Sequence, residues 1–185
     1  LVTYGGRAYD NALAEMCALL TKNGFRGRIY ATDETTNLCA IMLKDCAHIQ
    51  MQEAEWKTRK AARAGLDPVE AIYDLEDAEN CLKRFRPCSL GEKISIAQGI
   101  DIRFVNAGHL LGSASIEVWL SEPGVSRKVV FSGDLGNVNL PILRGKDYIG
   151  EADYAIIEST YGDRIHEACS DPADFLADCV RVTLG

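Results

Sequence analysis

Between Asn106 and Asp134 the chain reads NAGHLLGSASIEVWLSEPGVSRKVVFSGD, and no other stretch limits the fold as tightly. Ser115–Leu120 and Lys128–Phe131 have the texture of strands, and the turn at Glu122-Pro123-Gly124 pairs them as a hairpin. Glycine marks both outer ends: Gly108 and Gly112 before the first strand, Gly133 and Gly136 after the second. His109 lies in the first glycine turn and Asp134 in the second. Both are metal-ligand types placed where a strand gives way to a loop. That layout lets side chains from different strand ends converge on one ion at a sheet edge.

Upstream, the pattern is mostly helical. Residues 1–9 (LVTYGGRAY) start like a strand and pass into a Gly-Gly loop, and Asp10 is placed to cap a helix through Lys22 that Asn23-Gly24 ends. A short strand, Arg28–Thr32, precedes a helix that starts at Asp33 or Thr35. This helix carries Leu38, Ile41 and Met42 and continues through Trp56 to Ala64. Its second half is dense in charge, with Lys57, Arg59, Lys60 and Arg63 against Glu53 and Glu55, which reads as a solvated face or a phosphate-contacting ridge. Gly65-Leu66-Asp67-Pro68 breaks it, and a further helix is expected from Asp74 or Leu75 to Phe85. From Pro87 onward strands take over, at Lys93–Ile96 and Ile100–Val105 around the turn at Gln98-Gly99. Tyr154–Ile157 is an unbroken apolar run of the kind covered on both faces, and 171–184 is helical again. Layers of sheet flanked by helices follow from this order.

Composition narrows the class. The 185 residues are 47% hydrophobic, enough for one sizeable core, and the formal charge of −7 shows no bulk affinity for nucleic acid, although a local groove can be basic on an acidic protein. No apolar run reaches a membrane-spanning length and no signal peptide opens the chain, so a soluble, cytoplasmic protein with no membrane partner is expected. The start at Leu1 and the end just after a helical pattern suggest part of something longer. The 7 cysteines form no C-x-x-C pair and lie mostly in apolar helical context, which fits reduced, buried thiols.

Of the 3 histidines, His48 lies mid-helix among charged neighbours and His166 follows a YGDR loop, where a surface position is the simple reading. His109, hemmed by glycine at a strand end, can turn its imidazole into a cleft. Asp134 is either a turn-forming residue or a carboxylate able to bridge two hard cations. Glu158 ends the Tyr154–Ile157 strand and suits acid/base or orienting work, whereas Asp153 belongs to the opposite strand end.

Taken together, FRGRIYAT (25–32), AGHLLGSASIEV (107–118), VFSGDLGN (130–137), PILRG (141–145) and ADYAIIESTYGDR (152–164) resemble the β-CASP group of metallo-β-lactamase-fold nucleases. That group includes bacterial and archaeal RNases and the pre-mRNA 3′-end processing endonuclease. The resemblance implies an α/β fold, the αββα sandwich as a fragment in residues 1–157, with a β-CASP insertion beginning in 158–185. It implies two zinc ions, with His109 binding one and Asp134 bridging both, and Glu158 assisting proton transfer or orienting a ligating histidine. The implied reaction is cleavage of RNA phosphodiester bonds by zinc-bound hydroxide, on single-stranded RNA, in a chain that can pair as a homodimer.

One departure is large. The family's H-x-H-x-D-H signature belongs within residues 1–14, which here read LVTYGGRAYDNALA and hold no histidine; only Asp10 keeps a ligand-type side chain. Zinc needs three or four protein ligands, so this chain is expected to bind it poorly and to have little or no nuclease activity. The alternative is a non-catalytic pseudo-nuclease that binds RNA or a catalytic partner, with the non-catalytic companion of the 3′-end nuclease as the analogy.

Overall fold

A computed structural model describes residues 7–137, 144–160, 162–163 and 172–184. The strand expected within 1–6, and His166 and Cys169, lie outside them. The elements are α1 (Arg7–Lys22), β1 (Ile29–Thr32), α2 (Asp33–Arg63), α3 (Leu75–Leu82), β2 (Phe85–Cys88), β3 (Lys93–Ala97), β4 (Ile100–Asn106), β5 (Ala114–Glu122), β6 (Val125–Phe131), β7 (Tyr154–Ile156) and α4 (Pro172–Leu184). β1 and β2 pair in parallel, and β3-β4-β5-β6-β7 form a second sheet, antiparallel except for the β6–β7 pair.

The period-two geometry of strands explains the layering. Ile29 and Ala31 of β1 and Phe85 of β2 face the helices, where they pack with Ala14, Cys17, Leu43 and Cys81. Tyr30 and Cys88 face the other way and meet Ile102, Phe104, Ile116 and Phe131 of the second sheet. The order is therefore helices, two-stranded sheet, five-stranded sheet: three of the four layers of an αββα sandwich.

Four local expectations change. Asp10 lies inside α1, which begins at Arg7, and so does not cap it. The inward face of α2 consists of Cys39, Leu43, Ala47 and Ala54, while Leu38 and Ile41 are exposed. At about 100° per residue positions 39, 43, 47 and 54 share one stripe, and Leu38 and Ile41 fall on the opposite side. Phe85 leaves the α3 pattern for β2, because pairing in register with Ile29 and burial in the helical core outweigh local helix propensity. Finally, β7 is an edge strand whose Tyr154 and Ile156 are exposed, although its composition suggested cover on both faces.

Side-chain caps hold the starts of α2 and α3. Thr32 Oγ1 accepts from Thr35 N at 3.3 Å at the start of α2, and Asp74 and Asp77 form a reciprocal capping box on α3. Cys17, Cys39, Cys81 and Cys88 are buried thiols, and none of them forms a disulfide. Burial, reinforced by the neighbouring thiols, pushes Cys17 up to about 12, so it stays protonated and inert. Among the described residues no helix is long and apolar enough to cross a membrane.

One buried charge stands out on the outer face of the second sheet. Glu117 is fully buried on β5; its carboxylate accepts from Arg103 Nε of β4 and lies 2.6 Å from Lys128 Nζ of β6. Burial alone would raise its pKa, but hydrogen bonds from the two cations outweigh that and hold it below the ordinary carboxylate range.

Three outcomes test this architecture. Leu43→Ala, at a fully buried position, lowers the unfolding free energy by about 2–5 kcal/mol in urea melts. Ile41→Ala, at a position 71% exposed, changes it by no more than roughly 0.5 kcal/mol. Because the folded pKa of Glu117 is lowered, its contribution is complete above the unfolded value and is lost as pH falls through the folded one. Thermal melts of Glu117→Gln therefore show a shallower fall in Tm from about pH 5 to pH 2 than the parent chain; an equally steep fall contradicts the assignment.

Candidate metal-site edge

Antiparallel pairing of β4 with β5 and β5 with β6, and parallel pairing of β6 with β7, put the ends of β4, β6 and β7 at one edge of the sheet. His109 lies in the β4–β5 loop, Asp134 just after β6, and Glu158 just after β7. The three residues singled out in the sequence thus share one edge by topology.

Hydrogen bonds then shape each loop. The Ser113 hydroxyl accepts from both His109 N and Leu110 N at 3.0 Å, and Thr32 Oγ1 donates to Gly112 O at 2.8 Å, which fastens the His109 loop to the cap of α2. Asn106 reinforces the base of the loop: its amide donates to Gly145 O at 2.9 Å and its Oδ1 accepts from Gly108 N at 3.2 Å. On the Asp134 side, Gly136 N donates to Ala107 O at 2.9 Å. The two loops meet so closely that a Cβ on Gly136 would lie 1.8 Å from Gly108 O. Gly108 itself has φ +67, and a Cβ there would meet Lys146 N at 2.6 Å. Both positions require glycine.

The result brings His109 Nε2 to 4.0 Å from Asp134 Oδ2, with both side chains about a third exposed. Glu158 does not face them directly. Its Oε1 accepts from Leu135 N at 2.5 Å and its Oε2 from Thr160 Oγ1 at 2.9 Å, while its own N–H donates to Ser132 Oγ at 3.0 Å. It therefore clamps the loop that carries Asp134. Buried Ser115 and Ser132 complete the lock, with Ser115 Oγ donating to Ser132 O at 2.6 Å. Sequence reading passed over both serines and Asn106. The signal for the serines is a hydroxyl in an otherwise apolar strand, which must find a partner when buried. Asp153 binds Lys128 N at 2.7 Å at the opposite end of β7, apart from this edge as expected.

The donor set does not fit a zinc centre. Tetrahedral zinc with bonds of about 2.0–2.2 Å places its ligands roughly 3.3–3.5 Å apart and takes three or four of them from protein. Here two donors stand at 4.0 Å, and among the described residues no three His, Cys, Asp or Glu side chains gather where an ion could be held.

No protein-family model matches the chain. It is 33% identical over 165 residues to a ribonuclease of Thermus thermophilus, a match covering 89% of this chain and 33% of that protein. An RNase J-like protein of Methanocaldococcus jannaschii is 37% identical over 136 residues, covering 73% of this chain and 27% of its own length. Cleavage and polyadenylation specificity factor subunit 3 of Dictyostelium discoideum is 27% identical over 147 residues, covering 79% and 17%. The chain spans about a third or less of the length of the curated relatives it matches.

The close approach of the two loops is testable. Gly136→Ala, whose Cβ would enter the Gly108 carbonyl, costs about 1–3 kcal/mol of stability, as overpacking does. The chemical shifts of the His109 ring move with it in NMR spectra, and unchanged His109 signals would contradict the contact.

Proposed function

Because the chain is a homologue of the β-CASP nucleases of metallo-β-lactamase fold, we propose that its whole protein acts on RNA and that this edge is the retained half of a metal site. His109 and Asp134 are the metal positions and Glu158 is the positioning carboxylate that sets the Asp134 loop. Residues 1–157 belong to the metallo-β-lactamase domain and 158–185 to the start of the β-CASP insertion. The observation that carries the reading is the pairing of His109 with Asp134 on loops that only glycine allows to meet.

In the family, zinc supplies hydroxide at neutral pH and stabilises the charge that develops on phosphate oxygens. Two donors do not hold that pair of ions, and residues 1–14 bring no histidine to complete it. This chain is accordingly a poor zinc binder with little or no cleavage activity. The donor count also favours a second reading, a non-catalytic pseudo-nuclease that keeps the fold to bind RNA. Against it stands the intact set of His109, Asp134 and Glu158, which binding alone has no physical reason to preserve.

Metal analysis of the purified, dialysed chain, paired with cleavage of a single-stranded RNA, decides between them. We expect far fewer than two zinc ions per chain and no cleavage above background; two tightly held ions with cleavage overturn the impaired reading. A histidine-rich H-x-H-x-D-H in another reading frame upstream of the Gly24 codon favours an enzyme over a pseudo-nuclease.

A further inference from the structure

The far end of α2 has a face that the fold does not use. Its last buried side chain is Ala54, yet the helix runs on to Arg63, about 14 Å farther at 1.5 Å per residue. One side of this extension is covered: Thr58 Oγ1 accepts from Val69 N at 2.9 Å and donates to Val69 O at 3.1 Å. At about 100° per residue, Trp56, Arg59, Lys60 and Arg63 fall within an arc of roughly 100° on the side away from Thr58 and Ala54.

That arc joins an aromatic surface to unpaired positive charge. Trp56 is 57% exposed, and Lys60 Nζ lies 5.5 Å from the centroid of its ring. Lys57, outside the arc, is paired with Glu53 at 2.9 Å, and Arg59 is only loosely held by Glu55 at 3.7 Å. Among the described residues, neither Lys60 nor Arg63 has a carboxylate partner. On a chain of formal charge −7 this is a local reversal of sign.

We propose that this face binds single-stranded RNA, with a base stacked on Trp56 and phosphates held by Arg59, Lys60 and Arg63. Single strands bind where an aromatic ring offers a stacking platform beside cations that track the backbone. An acidic protein would satisfy the charges but has no base to stack. The proposal rests on the RNA reading above and adds a second contact surface to it. The two surfaces are joined by α2 itself: Thr32, at its start, bonds the Gly112 carbonyl in the His109 loop, and Trp56 lies about 36 Å farther along the helix axis. A strand leaving the His109 edge along α2 arrives at this face.

The chain has 2 tryptophans, so Trp119→Phe leaves Trp56 as the sole indole reporter. Titration of that variant with a single-stranded oligouridylate is expected to quench Trp56 fluorescence. In the otherwise unchanged chain, filter binding is expected to weaken roughly tenfold for Trp56→Ala. The double change Lys60→Ala with Arg63→Ala is expected to reduce the salt slope of binding by about 1.4, from about 0.7 per lost phosphate contact. RNA binding without quenching and with an unchanged salt slope overturns this face and leaves the RNA reading standing. Absence of RNA binding at low salt overturns both. Polyglutamate binding as tightly as the oligouridylate overturns the assignment of RNA as the occupant.

Discussion

The contact on which the candidate site depends is a backbone approach between two loops, with Gly136 N–H donating to Ala107 O and Gly136 lying against the Gly108 carbonyl. No residue with a Cβ fits at Gly136 without moving one of the loops, and Gly108 adds a positive φ to the same constraint. His109 and Asp134 each follow or precede one of these glycines, so their 4.0 Å separation is a consequence of the backbone contact rather than of any attraction between the side chains. Ser113, Asn106, Thr32 and Glu158 then remove the remaining freedom of the loops through hydrogen bonds to backbone groups.

This arrangement separates two roles that sequence alone assigns together. Glu158 appears in the chain as an acid/base or orienting candidate equal in standing to His109 and Asp134. In the structure both its carboxylate oxygens are engaged, one by Leu135 N–H and one by the Thr160 hydroxyl. A carboxylate so occupied acts on this edge through the loop it holds. Ser115 and Ser132 extend the clamp into the sheet, where burial makes each hydroxyl bond obligatory. Among the described residues this edge offers two donors, and rigidity does not substitute for the three or four protein ligands that zinc takes.

The layers beneath the edge show where charge is tolerated. Glu117 is fully buried between Arg103 and Lys128, and an isolated carboxylate there would be costly; two cations on neighbouring strands make it acceptable. On α2 the opposite occurs, since among the described residues Lys60 and Arg63 have no carboxylate partner. The first arrangement stabilises the sheet, and the second leaves a face of the helix free for a ligand.

Much of this was legible in the chain because it is local. The strand pattern of Ser115–Leu120 and Lys128–Phe131, the Pro123-Gly124 turn, the breaks at Gly24 and Gly65 and the helix starts at Asp33 and Leu75 depend on near neighbours, and each appears where the residues predict. The position of His109, Asp134 and Glu158 at one sheet edge is also implied once strand order is known. Burial was decided elsewhere. Phe85 entered a strand because Ile29, 56 positions earlier, supplied a parallel partner. α2 turned the stripe of Cys39, Leu43 and Ala47 inward and left Leu38 and Ile41 on the opposite side, and the apolar run at Tyr154 became an exposed edge. Periodicity reports which residues share a face, but which face is covered depends on contacts between distant segments, and those exist only in the folded chain.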